Sequence, residues 1–423
     1  MSPRTRLRVR HRVYYGWVLV VTLGMTEAIS WGVLYYAFAV LIQPMGEELG
    51  WTLGELSGAF SLALLLNGLG AIVVGRWLDR HGPRLLMTVG SCGGVLLMLA
   101  WSRVDDLRLF YLLWAAIGLV MSTTLYEPAF ATVTAWFERR RAQALTVVTL
   151  FAGLASTIFL PLTGWLVDLQ GWRQALVTLA LILALGTIPA HALLLRRRPE
   201  DVGLTIDGEP VAVATSGAPA VRRSPGLPVG EALRTRSFRR LVLAFCLSAA
   251  ISTAVRVHLV PYLIGRGFDA ASAAAFTGTI GAMQVLGRIV LGALSHRVSI
   301  RAAAVAAFGL QALGLLVLVA ARDTLGVMAF VAVFGASFGA VTLVRPAFVA
   351  SLYGRGQYAS IAGVLAFATT LAQAAAPFGA GVAHDWLGSY DPLLWAFAVL
   401  SVIAALALLP VRQSSAWSRE NPG

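Results

Sequence analysis

Residues 69–84 read LGAIVVGRWLDRHGPR, and residues 286–301 read LGRIVLGALSHRVSIR. In each of four pairs of identical residues, the two members are the same number of residues apart. The pairs are Gly75 and Gly292, Arg80 and Arg297, Arg84 and Arg301, and Pro44 and Pro261. Residues 127–130 (EPAF) also match residues 345–348 (RPAF), at a separation that is one residue larger. Several matches at nearly one spacing indicate that the chain consists of two related halves.

The whole chain is strongly apolar. Of its 423 residues, 58% are hydrophobic and 13% are charged, whereas soluble domains carry about 25% charged residues. A helix needs roughly 20 apolar residues to cross a bilayer core of about 30 Å, and many continuous runs reach that length. Because these runs do not alternate between apolar and polar residues, they exclude a closed barrel and predict helices. The predicted fold class is an all-α membrane protein.

Twelve apolar runs are predicted to be transmembrane helices, called spans 1 to 12. Their bounds are 14–43, 55–78, 84–102, 107–136, 142–167, 172–195, 238–265, 270–294, 301–320, 324–353, 357–384 and 390–411. Loops on one side are rich in Arg, as in residues 76–84 and 139–141; loops on the other carry Glu and Asp, as at residues 47–48 and 105–106. We call these the basic side and the acidic side. The positive-inside rule places the basic side and both termini in the cytoplasm, with the chain in the inner (plasma) membrane.

The polar stretch 196–236 divides the spans into two equal sets. It contains Gly, Pro and Ser and is predicted to be a mobile cytoplasmic linker with a short surface helix near residues 228–236. Residues 1–195 would form an N-terminal six-helix bundle, and residues 237–423 a C-terminal one. Since each half has an even number of spans, both enter from the same side, which predicts a parallel repeat about an axis along the membrane normal.

The loop after span 2, Gly75-Arg-Trp-Leu-Asp79-Arg80-His-Gly82-Pro-Arg84, resembles the signature loop of the major facilitator superfamily. The resemblance implies two pseudo-symmetric six-helix bundles and a conformational latch in this loop. Gly75 would allow close helix packing, Asp79 would pair with a neighbouring Arg or a helix N-terminus, and the Arg side chains would hold the loop inside. The alternative is a purely topological role for the charges. The second half has His296 in place of Asp79, so the latch is expected to be asymmetric.

Four segments resemble the bacterial monocarboxylate-transporter-like and oxalate/formate antiporter branch of that superfamily. They are Tyr14-Tyr15-Gly16-Trp17, Trp136-Phe137-Glu138-Arg139-Arg140-Arg141-Ala142, Gly171-Trp172-Arg173, and Arg198-Pro199-Glu200-Asp201-Val202-Gly203. The resemblance covers nearly the whole chain, and it implies transport of a small organic anion without naming one.

Six Glu, Arg or His residues lie well inside the predicted spans, away from the span ends. They are Glu27 in span 1, Glu127 in span 4, Arg256 and His258 in span 7, Arg288 in span 8 and Arg345 in span 10. A charge at the bilayer centre costs about 2.5–3.5 kcal/mol or more, so each residue is a candidate site. The resemblance implies that spans 1, 4, 7 and 10 line a central cavity. The three Arg and two Glu leave one positive charge in surplus, which favours an anionic substrate.

Arg288 is the first candidate for substrate binding. The resemblance implies that an Arg at this place in span 8 binds the substrate carboxylate, and a guanidinium can hold a carboxylate with two hydrogen bonds. The alternative is a structural ion pair. The eukaryotic relatives carry an Asp one turn earlier that helps to move a proton, but this chain has Gln284 there.

Glu127 and Arg345 occupy equivalent positions of the repeat, so we expect them to face each other at one depth. They would form a bridge that closes the cytoplasmic side and breaks on opening; the alternatives are a static pair and a coupling proton on Glu127. Breaking a buried pair costs roughly 3–5 kcal/mol, enough to bias a two-state carrier.

Glu27 lies near the middle of span 1, where burial favours the neutral form of a carboxyl group. It is interpreted either as a proton carrier or as the partner of Arg256, and Arg256 either as that partner or as a second anion ligand. His258 is a candidate for proton coupling, with a satisfied polar role as the alternative.

Other polar side chains of the spans could orient a substrate or join helices by hydrogen bonds. These candidates are Tyr126, Asn67, Gln284 and Gln373. The aromatic residues of span 1, Trp31, Tyr35 and Tyr36, are expected to be packing residues.

The sequence therefore predicts a monomeric secondary carrier for a small monocarboxylate-like anion, driven by protons or working as an exchanger. Its surroundings are the lipid bilayer, and no cofactor, metal or nucleic-acid partner is expected. Two alternatives are efflux of an amphipathic compound and a receptor that senses a solute without moving it. The sequence has no nucleotide-binding loop, metal cluster or nucleophile motif, so an enzyme is not expected.

Overall fold

The computed structural model describes residues 14–208, 229–294, 297–353 and 358–411, and these ranges contain helices and no strand. Eleven helical stretches of the described residues, some of which join neighbouring helices, are long and apolar enough to cross a membrane. One of them, Gln143–Leu194, has 52 residues, which at 1.5 Å per residue gives about 78 Å, more than twice the bilayer core. Gly171 interrupts it with φ 77° and ψ 161°. Spans 5 and 6 therefore meet at Gly171, and the predicted twelve crossings result.

The helices follow the predicted spans closely. The α-helices are α1 Tyr15–Trp31, α2 Ala37–Leu49, α3 Leu53–His81, α4 Pro83–Trp101, α5 Leu107–Thr124, α6 Tyr126–Trp136, α7 Arg141–Gly153, α8 Ala155–Leu194, α9 Val229–Arg234, α10 Arg236–Gly265, α11 Ala270–Leu294, α12 Ile300–Ala320, α13 Thr324–Tyr353, α14 Tyr358–Leu387 and α15 Asp391–Leu408. A π-helix, Gly32–Tyr36, joins α1 to α2, and two 3-10 helices, Pro199–Val202 and Ile206–Gly208, precede α9.

Two irregularities lie at the middle of the spans. In span 1 the π-helix Gly32–Tyr36 replaces part of the α-helix, a feature often found at functional sites. In span 4 the helix breaks at Leu125, whose φ and ψ are −94° and −155°. Tyr126 therefore begins a new helix, and Pro128 lies in its first turn, where a missing backbone N–H costs nothing.

Small residues allow the helices within each half to pack closely. A Cβ at Gly118 in span 4 would collide with the carbonyl oxygen of Ala63 in span 2. In the second half, a Cβ at Gly287 in span 8 would collide with the Ala336 carbonyl oxygen in span 10. This packing fixes the segment of span 8 that carries Arg288.

The two halves meet on the acidic side and part on the basic side. Near the acidic end the Gly54 N–H donates to Asp385 Oδ2 at 2.8 Å. Midway along the same pair of helices, a Cβ at Gly68 would still lie 2.7 Å from Thr370. Toward the basic end, a Cβ at Gly75 would meet nothing within 4 Å. The space between the halves is therefore open toward the basic side.

The first part of the predicted linker is packed onto the first half rather than loose. Asp207 Oδ2 accepts hydrogen bonds from the backbone N–H groups of Glu138 at 3.1 Å and Arg139 at 2.8 Å. The Tyr14 hydroxyl bonds the Thr205 carbonyl at 3.1 Å. These bonds tie residues 199–208 to the loop between spans 4 and 5. The short surface helix is present as α9, and residues 209–228 lie outside the described residues.

Candidate functional site

The charged and aromatic side chains of spans 1, 4, 7 and 8 meet between the two halves. Tyr126 of span 4 is the common neighbour, because it lies within electrostatic range of Glu27, Arg256 and Arg288. The break at Leu125 starts a new helix at Tyr126. Two residues from each half therefore surround one region near the middle of the bundle.

Arg288 is half-buried on span 8. Its Nε donates to Thr342 Oγ1 on span 10 at 3.2 Å. Within the described ranges it forms no ion pair. Its guanidinium therefore keeps N–H groups that a bound anion can use.

Arg256 is held on span 7 by neutral groups. Its Nε donates to the Ser252 carbonyl at 3.1 Å, and its Nη2 to Thr253 Oγ1 at 3.4 Å. The guanidinium carbon lies 4.5 Å from the centre of the Phe338 ring and 6.0 Å from that of Tyr35. Among the described residues no carboxylate pairs with it, so the pairing with Glu27 that the sequence allowed is not formed here.

Glu27 is fully buried on span 1. Its Oε2 accepts a hydrogen bond from Trp31 Nε1 at 3.0 Å, and its Oε1 is buried without a hydrogen-bond partner in the described part of the chain. A charged carboxylate with one hydrogen bond and no counter-ion is costly away from water. This geometry suits a carboxyl group that holds a proton on Oε1.

Glu127 and Arg345 are both exposed in this conformation. Arg345 Nη1 donates to Thr369 Oγ1 at 3.4 Å, and Glu127 has no ion pair within the described ranges. The bridge expected between the two residues is therefore open here, where the halves are apart on the basic side. Its role as a gate stays a prediction.

His258 lies outside the central group. Its Nε2 donates to the Pro377 carbonyl at 3.0 Å, and its Nδ1 then accepts from the Tyr390 hydroxyl at 2.9 Å. Both nitrogens are used within the second half, which fits the satisfied polar role rather than proton transfer.

The remaining polar candidates are spread along spans 2, 8 and 11. Asn67 is half-buried, and its Oδ1 has no hydrogen-bond partner in the residues described. Gln284 is buried one turn before Arg288, and a Cβ at Gly339 would collide with its carbonyl oxygen. Gln373 is half-buried on span 11.

The signature loop is anchored at its end next to span 3. Arg84 Nε donates to the Ala192 carbonyl at 2.6 Å, which ties the start of span 3 to the end of span 6. Gly82 has φ 78°, and Arg80 is exposed at the end of α3. Gly75 faces open space, so the close packing expected of it is absent while the halves are apart. The side chain of Asp79 and residue His296 lie outside the described part, so the latch stays a prediction.

Aromatic residues form a larger part of the site than the sequence indicated. The Trp31 and Tyr126 ring centres are 5.0 Å apart, and both side chains are half-buried. Tyr35 is buried, as expected of a packing residue. Phe338 and Thr342 were not predicted, because only their contacts with Arg256 and Arg288 mark them and no local pattern does.

Comparison with known families gives a match over most of the chain. A model of the Major Facilitator Superfamily matches residues 20–377. Monocarboxylate transporter 13 of Bos taurus is 26% identical over 348 residues, which cover 81% of this chain and 76% of that protein. Monocarboxylate transporter 11 of Homo sapiens is 26% identical over 389 residues, covering 89% of this chain and 78% of that protein.

Solved structures share the fold. A bacterial homologue of the human lysosomal transporter Spinster, in an inward-facing and occupied conformation, superposes with a TM-score of 0.71 at 14% identity, covering 95% of this chain and 99% of that one. The nucleoside transporter NupG gives a TM-score of 0.71 at 13% identity, covering 94% and 98%. Both likenesses concern the fold alone.

Proposed function

Since the chain belongs to the major facilitator superfamily, we propose that it is a secondary carrier that moves a small organic anion of the monocarboxylate type by alternating access. One observation carries the proposal: Arg256 and Arg288 lie between the halves with no carboxylate partner among the described residues. Both side chains are half-buried, and a cation partly withdrawn from water without a counter-charge carries a desolvation cost. A bound carboxylate offsets that cost and can accept two hydrogen bonds from one guanidinium.

The two moving units of the proposal are the six-helix bundles 1–195 and 237–423, joined by residues 196–236. The basic side faces the cytoplasm of the cell that carries the protein in its inner membrane, so this conformation is open to the cytoplasm. The outward-open state forms when the contacts around Gly54 and Asp385 separate and Glu127 approaches Arg345. The pair would then stabilise closure on the cytoplasmic side.

Protons drive the transport through Glu27 in this proposal. The carboxyl group is buried, has a single hydrogen bond, and lies within electrostatic range of Tyr126 in the central group. Proton binding there neutralises one negative charge near the anion site, which favours entry of the substrate. His258, whose nitrogens are both occupied, is left without a part in this step.

Efflux of an amphipathic compound is the second candidate, and the half-buried rings of Trp31 and Tyr126 favour it. The two candidates share one fold and one site, and differ in direction and substrate. A sensor without transport is the third possibility, and only a flux measurement separates it from a carrier.

The test is uptake into proteoliposomes of labelled acetate, lactate, pyruvate and oxalate, with and without an inward acid gradient. Wild type is compared with Arg288→Ala and with Arg108→Ala, a matched control that removes an exposed Arg on the acidic side. The proposal predicts gradient-stimulated uptake that Arg288→Ala abolishes and Arg108→Ala leaves unchanged. Uptake that requires an internal anion would indicate exchange, and no uptake above empty liposomes would overturn the proposal.

A further inference from the structure

The central group contains a continuous set of aromatic rings next to the two guanidinium groups. Trp31 lies 5.0 Å from both Tyr35 and Tyr126 between ring centres. Tyr126 stacks on Phe130 at 4.8 Å with an interplanar angle of 22°. Tyr36 lies 5.0 Å from Tyr35. Two spans therefore contribute one aromatic wall, which we call the ring wall: Trp31, Tyr35, Tyr36, Tyr126 and Phe130.

The π-helix of span 1 brings its three rings together. In a regular α-helix, residues five positions apart point in clearly different directions. Here the ring centres of Trp31 and Tyr36 are only 6.3 Å apart, because the π-helix Gly32–Tyr36 begins directly after Trp31 and ends at Tyr36. A π-helical turn inside a membrane span is rare and often functional. The π-helical backbone of span 1 thus positions the three rings that this span contributes to the ring wall.

The ring wall borders the two Arg side chains of the anion site. Tyr126 lies within electrostatic range of Arg256 and Arg288, which belong to the other half. Arg256 in turn lies over the rings of Phe338 and Tyr35, one from each half. Four members of the wall keep part of their surface exposed, namely Trp31, Tyr36, Tyr126 and Phe130. The exposed ring surface and the guanidinium groups therefore border the same space.

Trp31 is also fixed in orientation, because its Nε1 donates to Glu27 Oε2 at 3.0 Å. A ring held this way can receive a flat ligand without losing rotamer freedom on binding. An acid as short as acetate would bind the guanidinium and leave the rings in contact with water. A carboxylate attached to an aromatic ring would use both parts of the site.

We infer that the preferred substrates are aromatic carboxylates, with the carboxylate on Arg288 and Arg256 and the aromatic ring against Trp31, Tyr126 and Phe130. This inference rests on the proposed function and specifies its substrate class. Aromatic pairs in stacked or edge contact add to the affinity beyond area burial. For a ring with two or more such contacts we expect about tenfold tighter binding than for a saturated ring of the same size.

The experiment measures binding of labelled benzoate to the purified protein and its displacement by cyclohexanecarboxylate, which has the same charge and nearly the same size. The variants are Tyr126→Leu, Tyr126→Phe and Arg288→Ala, with Trp395→Leu as a control for a ring on the outer surface, where Trp395 is 53% exposed. We expect about a tenfold preference for benzoate that Tyr126→Leu reduces to threefold or less. Tyr126→Phe and Trp395→Leu should retain it.

Equal affinities for the two acids, or a preference that Tyr126→Leu leaves intact, would overturn the aromatic substrate class alone, since Arg288→Ala would still abolish binding of both. Binding of neither these acids nor the short ones would overturn the proposed function together with this inference. If Tyr126→Leu fails to fold, Trp31→Leu serves as the second variant with the same expected loss.

Discussion

The contact between Asp385 and Gly54 predicts how the acidic side is held closed. Asp385 lies near the end of span 11, and its Oδ2 accepts the Gly54 N–H at 2.8 Å. Gly54 is in the first turn of α3, where unpaired N–H groups and the helix dipole favour a negative charge. A Cβ at Gly54 would lie 2.6 Å from the same oxygen, so the close approach requires glycine. The contact joins the two halves and must break in an outward-open state.

The strength of the Gly54–Asp385 hydrogen bond follows from the charge and exposure of Asp385. A hydrogen bond to a charged group contributes about 1.5–3 kcal/mol, and the Asp385 side chain is 26% exposed, which places the contact at the lower end. We therefore expect Asp385→Ala to destabilise the closed acidic side by about 1.5 kcal/mol. That value is about a tenfold shift of the equilibrium toward the outward-open state.

The assay is electron paramagnetic resonance distance measurement between labels at Arg108 and Arg322. Both positions are exposed on the acidic side, one in each half. The native Cys92 and Cys246 are replaced first, because both are free thiols. The matched control is Asp323→Ala, which removes a similar bond to the Gly326 N–H at 2.9 Å but stays within the second half.

We expect the long-distance population to rise about tenfold in Asp385→Ala and to stay at the wild-type level in Asp323→Ala. Unchanged distances in both variants would refute the idea that this contact holds the acidic side closed. Equal shifts in both would show that loss of any helix cap opens the protein, and would refute it as well.

Three further predictions concern stability in detergent. Burial would raise the pKa of Asp207, but the backbone N–H groups of the loop between spans 4 and 5 hold that pKa below its usual value. At neutral pH, Asp207→Asn should therefore lower the free energy of unfolding by about 0.5–1 kcal/mol. That loss should vanish as the pH falls below the lowered pKa, where wild type also loses the charge, and a pH series of melting curves checks it. Arg173 pairs with Glu48 at 3.0 Å and with Asp105. Because Lys lacks the planar guanidinium that makes both contacts, Arg173→Lys should lower the free energy of unfolding by about 1–2 kcal/mol and lower the Tm. The control variant Arg108→Lys, at an exposed position, should leave the Tm unchanged. Gly287→Ala should destabilise by about 1–3 kcal/mol, since its Cβ would collide with the Ala336 carbonyl oxygen; an unchanged Tm would contradict the close packing of spans 8 and 10.

The crossings were predictable from the sequence because the bilayer imposes a length on every span. The repeat that pairs Pro44 with Pro261 also needs no structure to be seen. The helices confirm these predictions, and the family match confirms the resemblance drawn from the loop after span 2.

The helix irregularities inside the spans and the contacts between distant segments were harder to predict from the sequence, for physical reasons. The π-helix at Gly32–Tyr36 depends on tertiary packing, and its local sequence is that of an ordinary span. The break at Leu125 has one local mark, Pro128, which lies in the first turn of the helix that follows. The docking of Asp207 onto residues 138–140 joins segments that are far apart along the chain. Arg288 and Arg256 were recognised because charges in spans are rare, but their neutral neighbours Phe338 and Thr342 carry no such mark.

Counterflow tests the central claim most directly, because it requires a carrier whose site opens alternately to the two sides. Proteoliposomes are loaded with unlabelled pyruvate or phenylpyruvate and diluted into buffer with a trace of the same labelled acid, without any ion gradient. The account predicts a transient accumulation of label above equilibrium in wild type and none in Arg288→Ala. Label that never exceeds equilibrium with either acid in wild type would contradict an anion carrier and favour a sensor or a carrier of other compounds.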